Sequence, residues 1–170
     1  MLDVAIKYKE QLEKVQYNIW FDEKYKFWNN GTYYETLKID DNTWNRHQFV
    51  SIKDGNVLGY ISYSIDRSND FVSNLSIMNF SEDKMTFGMD LGQALKDIFE
   101  KYNYRKIKFS VVVGNPIEKS YDKMIKKYNG RIVGTFKNEV RLIDNKYYDE
   151  KYYEINRDDY IQSLVHKEIK

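Results

Sequence analysis

The chain has 170 residues, a length that suits one domain, and at that size a compact fold needs no disulfide or metal staple. It has no cysteine, which excludes disulfides, thiolate catalysis and cysteine-based zinc or iron–sulfur sites, and His47 and His166 stand too far apart to form a ligand pair. Lys and Arg number 27 against 26 Asp and Glu, a formal charge of +1 that argues against a general nucleic-acid binder.

No apolar run is long enough for a membrane span, and Met1-Leu2-Asp3 does not open a signal peptide, so a cytoplasmic protein is expected. From the N-terminus, Ala5, Tyr8, Leu12, Val15 and Ile19 recur at helical spacing and predict a helix over residues 3–20 with one buried face. An aromatic stretch follows (Trp20, Phe21, Trp28, Tyr33, Tyr34, Trp44), with a turn at Asp40-Asp41-Asn42. From His47 the period changes to two: residues 48–53 and 57–66 flank Asp54-Gly55-Asn56 and predict a hairpin. Residues 71–80 form a third strand. Leu91, Leu95, Ile98 and Tyr102 then stripe a helix, and residues 106–113 read as a strand covered on both faces. A second helix carries Ile117, Tyr121, Met124, Ile125 and Tyr128. It opens at Asn115-Pro116, a helix cap followed by proline at the first helical position, and closes at Asn129-Gly130. Residues 131–143 and 146–155 alternate again around Asp144-Asn145 as a closing hairpin. The resulting order predicts an α/β fold, a mixed sheet flanked by helices, in a single domain spanning 1–170. Residues 1–46 form its helical, aromatic part and residues 47–160 its core. Two βα units in succession place two helix starts where amides and positive dipole ends can hold an anion such as a phosphate.

This order, with these breaks, resembles the GNAT superfamily of acyl-CoA-dependent N-acyltransferases over residues 48–160. The strongest part is Arg105-Lys-Ile-Lys-Phe-Ser-Val-Val-Val-Gly-Asn115 with the helix ending Lys126-Lys-Tyr-Asn-Gly130, similar to the family's fifth strand and the helix after it. The tail from Asp144 to Tyr160 is similar to the closing hairpin of the branch that includes ribosomal-protein N-terminal acetyltransferases. The resemblance implies a mostly antiparallel sheet and direct transfer of an acetyl group from acetyl-CoA to an amine: a peptide or protein N-terminus, or a small molecule. It also implies that pantetheine pairs with main-chain groups of Ile77, Met78 and Asn79.

The family's pyrophosphate loop usually reads Gln/Arg-x-x-Gly-x-Gly/Ala; the matching stretch here runs from Met85 to Ala94, with Asp90 in a position the family keeps small. A start one turn later makes Gly92-Gln93-Ala94 the small residues but puts Met89 where Gln or Arg is usual, and the centre of the stretch is Thr86-Phe87-Gly88-Met89-Asp90-Leu91. Those six residues are the expected phosphate contacts, unless they form only a helix cap and a turn glycine. Asn115 is expected to touch the cofactor as well as cap its helix. Tyr121 is the candidate acid for the leaving thiolate, with Tyr128 or a plain core role as competitors. No carboxylate stands on the third strand of the core, where the family often keeps its base; Asp70, His47 and Glu139 are the substitutes. The basic stretches 101–108 and 123–131 suit the CoA 3′-phosphate, RNA or solvent. A homodimer through the closing hairpin is a further expectation, and the rival to the enzyme is an inactive GNAT-like ligand-binding or protein-interaction module.

Overall fold

The structure, a computed structural model, describes residues 1–19, 22–29 and 37–168. Trp20, Phe21, Tyr33 and Tyr34 of the aromatic stretch lie outside the described residues, as does the side chain of Trp28.

The predicted first helix is three pieces. Strand β1 (Leu2–Val4) leads into a 3-10 turn (Ala5–Tyr8) and then α1 (Lys9–Ile19), followed by a second 3-10 segment (Glu23–Asn29). The helical stripe is nevertheless correct, because Ala5, Leu12 and Ile19 are buried. β2 (Arg46–Lys53) and β3 (Asn56–Asp66) form the expected hairpin. Asp54 (φ 51) and Gly55 (φ 78) both take left-handed backbone in its two-residue turn, the geometry that matches strand twist. β4 (Phe71–Asn79), α2 (Lys84–Glu100), β5 (Lys106–Val112) and α3 (Glu118–Lys127) follow, then β6 (Arg131–Arg141), β7 (Tyr147–Asn156) and α4 (Arg157–Glu168). Neither β1 nor α4 is foreseen in the sequence reading.

The strands make one sheet in the order β1-β2-β3-β4-β5-β7-β6, antiparallel except for β4 against β5. One face packs against α2, α3 and α4 through Val72, Leu95, Ile98, Phe99, Ile107, Phe109, Tyr121, Tyr153 and Tyr160. The other face meets the N-terminal segment through Ala5, Leu12, Val50, Ile52 and Tyr60. We call these the α2 face and the α1 face. The α2 face of β5 is its apolar one: Ile107, Phe109 and Val111 are buried there, whereas on the other side Lys106, Lys108 and Ser110 are half-buried and Val112 is buried. The run 106–113 is therefore not apolar on both faces, and its lysines alternate with the core positions. β6 is the outer strand, with Ile132, Val133 and Phe136 exposed.

Candidate active site

The parallel partners β4 and β5 pair only at Phe71↔Lys106 and Val72↔Ile107. Beyond those pairs the two strands are no longer paired, which leaves a gap in the ladder toward their C-terminal ends. Main-chain N–H and C=O groups along such an edge are left to seek a partner, which is the condition under which an extended amide-bearing ligand adds itself to a sheet. A crevice at the carboxyl ends of parallel strands is also where open α/β sheets hold ligands.

Which groups face this gap is set by a bulge. Between β3 and β4 the register shifts, so that Ser64 pairs with Ser73 and Ser62 with Ser76. Asn74 takes φ 52 in the extra space. The added residue inverts the alternation: Val72 packs into the α2 face before the bulge, and Leu75 and Ile77 do so after it. Past the bulge, Phe80 N–H donates to Leu58 O at 2.8 Å, so Phe80 and, two residues back, Met78 direct their main chain at β3. Ile77 and Asn79 therefore aim theirs at the gap. Of the three residues expected along pantetheine, Met78 turns its main chain to β3, while Ile77 and Asn79 turn theirs to the opening.

The stretch expected to hold the phosphates is helical. Thr86, Phe87, Gly88, Met89, Asp90 and Leu91 are all within α2, which starts at Lys84. Asp83 caps the helix, its carboxylate accepting from Thr86 N–H (3.0 Å) and Thr86 Oγ1 (2.9 Å), while Lys53 Nζ donates to it at 2.7 Å. The Lys53 hydrogen bond above all, then the Thr86 bonds, bring its pKa down to about 2. Phe87 N–H bonds back to Asp83 O, and its ring is buried against β3. Gly88 sits on the exposed side with nothing within 4 Å of where a Cβ would be, so it is a mid-helix residue and not a turn glycine. Asp90 points away from the helix start: its Oδ2 accepts from Ser51 Oγ at 2.6 Å and pairs with the Met1 ammonium at 3.0 Å. The capping motif Asp83-x-x-Thr86, one turn before Gly88, was the signal that the helix begins early.

Asn115 lies just past the end of β5. It does not cap α3, whose helical residues start at Glu118; its Oδ1 accepts from Ile117 N–H at 3.1 Å and so shapes the turn before the helix. Tyr121 projects from α3 into the core, with ring centroids 5.4 Å from Phe109 and 6.3 Å from Tyr153. Burial, helped by Tyr153, pushes its hydroxyl pKa up, so it is protonated at neutral pH. Tyr128 ends α3 against Tyr160, 5.2 Å between centroids, on the α4 side.

None of the substitute bases stands at the gap on the α1 face. His47 is on the α2 face, its Nδ1 sharing a 2.8 Å hydrogen bond with the Tyr63 hydroxyl and its ring packed on Tyr102. Burial, aided by the charges of Arg67 and Lys101, lowers its pKa. Asp70 is exposed in the turn before β4, and Glu139 is exposed on β6.

What the sequence reading missed is a carboxylate on β7. Tyr148, Glu150, Tyr152 and Glu154 share the α1 face, because Tyr153 and Ile155 between them fill the opposite core. Glu150 is 6% exposed; Ser110 Oγ on β5 donates to its Oε1 and Tyr152 OH to its Oε2, each at 2.7 Å. Glu154 is held differently, by Lys106 (2.8 Å) and Arg131 (2.6 Å). Lys26 Nζ donates to Tyr148 OH at 3.3 Å, which brings the second 3-10 segment over this end of the face. Toward β2 the same face carries Gln48, whose Nε2 donates to Tyr60 OH at 2.7 Å, and Arg46, which reaches Tyr60 and Ser62. The arrangement is a sheet split open beside a polar, carboxylate-bearing face. Among the described residues no cluster of three or more His, Asp or Glu is arranged to hold a metal ion, and no helix is long and apolar enough to cross a membrane.

No protein-family model and no curated protein sequence matches the chain. Solved structures do. A probable acetyltransferase superposes with TM-score 0.69 at 18% identity, covering 92% of each chain. A chimeric spermidine N-acetyltransferase SpeG from Vibrio cholerae does so with TM-score 0.66 at 21% identity, over 95% of this chain and 99% of that one. Another structure described as an acetyltransferase matches with TM-score 0.58 at 16% identity, and there the matched region spans 63% of the other chain, less than two thirds of it. The fold is that of the GNAT acetyltransferases.

Proposed function

We propose that this chain is an acetyl-CoA-dependent N-acetyltransferase that moves the acetyl group directly to an amine. The observation that carries the reading is the split between β4 and β5, with main-chain groups of Ile77 and Asn79 turned into it, in a sheet of this fold. The pantetheine arm of acetyl-CoA has two amides, and an extended chain of that kind supplies the partners that the divergent strands lack. Asn115, at the end of β5, stands beside the same opening. Direct transfer then needs the amine to approach the thioester from the α1 face, where Ser110 and Glu150 supply oxygen acceptors toward an ammonium or amine.

The acceptor proposed is a small or flexible primary amine, a polyamine or a peptide N-terminus. The spermidine acetyltransferases of the same fold support the first, and the closing hairpin's resemblance to the ribosomal-protein branch supports the second. The test is calorimetric titration with acetyl-CoA and CoA, followed by thiol release with spermidine and with a short peptide bearing a free N-terminus. Micromolar binding with amine-dependent thiol release is expected. Absence of binding to either nucleotide at millimolar concentration refutes the proposal.

A further inference from the structure

Resting on that reading, we infer that the chain takes its acyl donor by the pantetheine arm and does not grip the nucleotide half of CoA, so that pantetheine thioesters lacking the nucleotide are donors too. The observations are the hydrogen bonds at two helix starts. α2 begins just past the end of β4 and α3 just past the end of β5, so both starts stand at the ends of the strands that border the gap. Main-chain N–H groups at such a place are what a phosphate ordinarily binds. Here the chain has bound them itself.

Between β5 and α3 every main-chain N–H is committed. Val113 N–H donates to Asp149 O (2.9 Å), Gly114 N–H to Glu118 Oε2 (3.2 Å), Asn115 N–H to Val112 O (3.0 Å) and Ile117 N–H to Asn115 Oδ1 (3.1 Å), while Pro116 has none. Glu118 N–H, the first of the helix, donates to Asn115 O at 2.9 Å. The Glu118 carboxylate pairs with Lys151 of β7 at 2.9 Å, and Asp122 meets the same ammonium at 2.9 Å. At the other start, Ser81 N–H donates to Asn79 Oδ1, Lys84 N–H to Glu82 O, Thr86 N–H to Asp83 Oδ1 and Phe87 N–H to Asp83 O. Asp83 pairs with Lys53 at 2.7 Å.

The two starts share one arrangement. A carboxylate of the chain sits where the amides and the dipole end would draw an anion, and a lysine from another strand neutralises it. Both carboxylates are ionised at neutral pH: Lys53 and then Thr86 bring the pKa of Asp83 to about 2, and Lys151 with the Gly114 amide lowers that of Glu118. A pyrophosphate arriving at either place would have to break these bonds and stand against a fixed negative charge. Pantetheine is uncharged, and Ile77 and Asn79 offer it main-chain groups.

The experiment compares CoA with pantetheine by calorimetry, and acetyl-CoA with S-acetylpantetheine by rate, using whichever of spermidine and the peptide is turned over. The two dissociation constants should agree within about tenfold, as should the two kcat/KM values. A gripped nucleotide would instead lend remote binding energy to the reaction, and the truncated donor would lose far more. Adenosine 3′,5′-bisphosphate, the nucleotide end of CoA with one phosphate of its pyrophosphate, should not displace CoA. Asp83→Asn keeps a helix cap but removes the charge, and should tighten CoA by about threefold or more while pantetheine binds as to wild type. A loss of more than about tenfold on removing the nucleotide, or displacement by the bisphosphate, overturns the inference and leaves the acyltransfer reading standing. An Asp83→Asn protein that binds CoA no tighter overturns the part assigned to Asp83. Failure of CoA and pantetheine alike to bind at millimolar concentration overturns the acyltransfer reading and this inference with it.

Discussion

Gly88→Ala, alone and with Gly92→Ala, separates a phosphate-gripping loop from a plain helix start. Both glycines are on the exposed side of α2, neither has positive φ, and neither has anything within 4 Å of the position a Cβ would take. Glycine inside a helix is less favourable than alanine by about 0.8–1 kcal/mol, because the unfolded chain has more backbone freedom to lose. Each substitution should therefore stabilise the fold by about that much. The two sites project one helical turn apart, and two methyls at that spacing do not collide, so the gains should add to about 2 kcal/mol. For a chain of this size, each kcal/mol moves the melting temperature by roughly 2–4 °C, so the double variant should melt about 4–8 °C above wild type. Calorimetry or circular dichroism reads the shift, and titration with acetyl-CoA should show a dissociation constant within about threefold of wild type. A fall in melting temperature, or a tenfold loss of affinity, would mean that Gly88 adopts a conformation closed to alanine around a bound phosphate, and the helical account of residues 84–91 would be wrong.

Gly59→Ala should have the opposite sign. A methyl there would stand 2.3 Å from Phe87 Cε2 and 2.5 Å from Met78 O, so β4 or α2 must shift; a loss of about 1–3 kcal/mol is expected in urea unfolding, and an unchanged midpoint would show that β3 and α2 are not in contact there. Tyr121→Phe should leave stability within about 0.5 kcal/mol, since the ring's packing is retained, and lower kcat at least tenfold with KM for acetyl-CoA unchanged; full kcat would assign Tyr121 to packing alone. Burial of Glu154 opposes its ionisation, but hydrogen bonds from Lys106 and Arg131 outweigh that and hold its pKa below the usual 4.5. A carboxylate with a depressed folded pKa contributes stability above its unfolded pKa and loses it as pH falls through the folded one, so the melting temperature should drop below about pH 4.5. Glu154→Gln should flatten that drop and cost roughly 3 kcal/mol at pH 7, the low end for breaking a buried pair; an unchanged acid slope would refute the assignment.

The readable parts of this chain were those where a short stretch decides its own conformation. Asp54-Gly55 names a two-residue turn because both positions need left-handed backbone, and the run from Arg105 to Val112 names β5 from its own residues. Where one element borrows its meaning from another, the sequence was silent. The aim of the Ile77 and Asn79 main chain depended on a bulge at Asn74 that only pairing with β3 reveals. Strand β1 exists because β2 offers an edge to Leu2–Val4, overriding a helical stripe that begins at Ala5. Glu150 went unnoticed because the serine that orients it is 40 residues away, on a different strand. The helix α4 follows β7 without a break, so the change from one period to the other at Arg157 had no glycine or proline to mark it.

The sparse joint between β4 and β5 also has a mechanical meaning. The sheet is two leaves, one of four strands and one of three, stitched at one end of their shared edge by two residue pairs. Hydrogen bonds from Arg105 to Asn69 and Asp70, and Lys108 on the Phe71 ring, add to that end, and the helices that pack on both leaves bridge them elsewhere. A ligand lying in the split would act as a strut, completing the ladder that the strands abandon. Such a molecule should therefore stiffen both leaves together. Amide hydrogens on the gap edges of β4 and β5 should exchange more slowly when the split is filled, and the two leaves should then unfold more nearly as one unit.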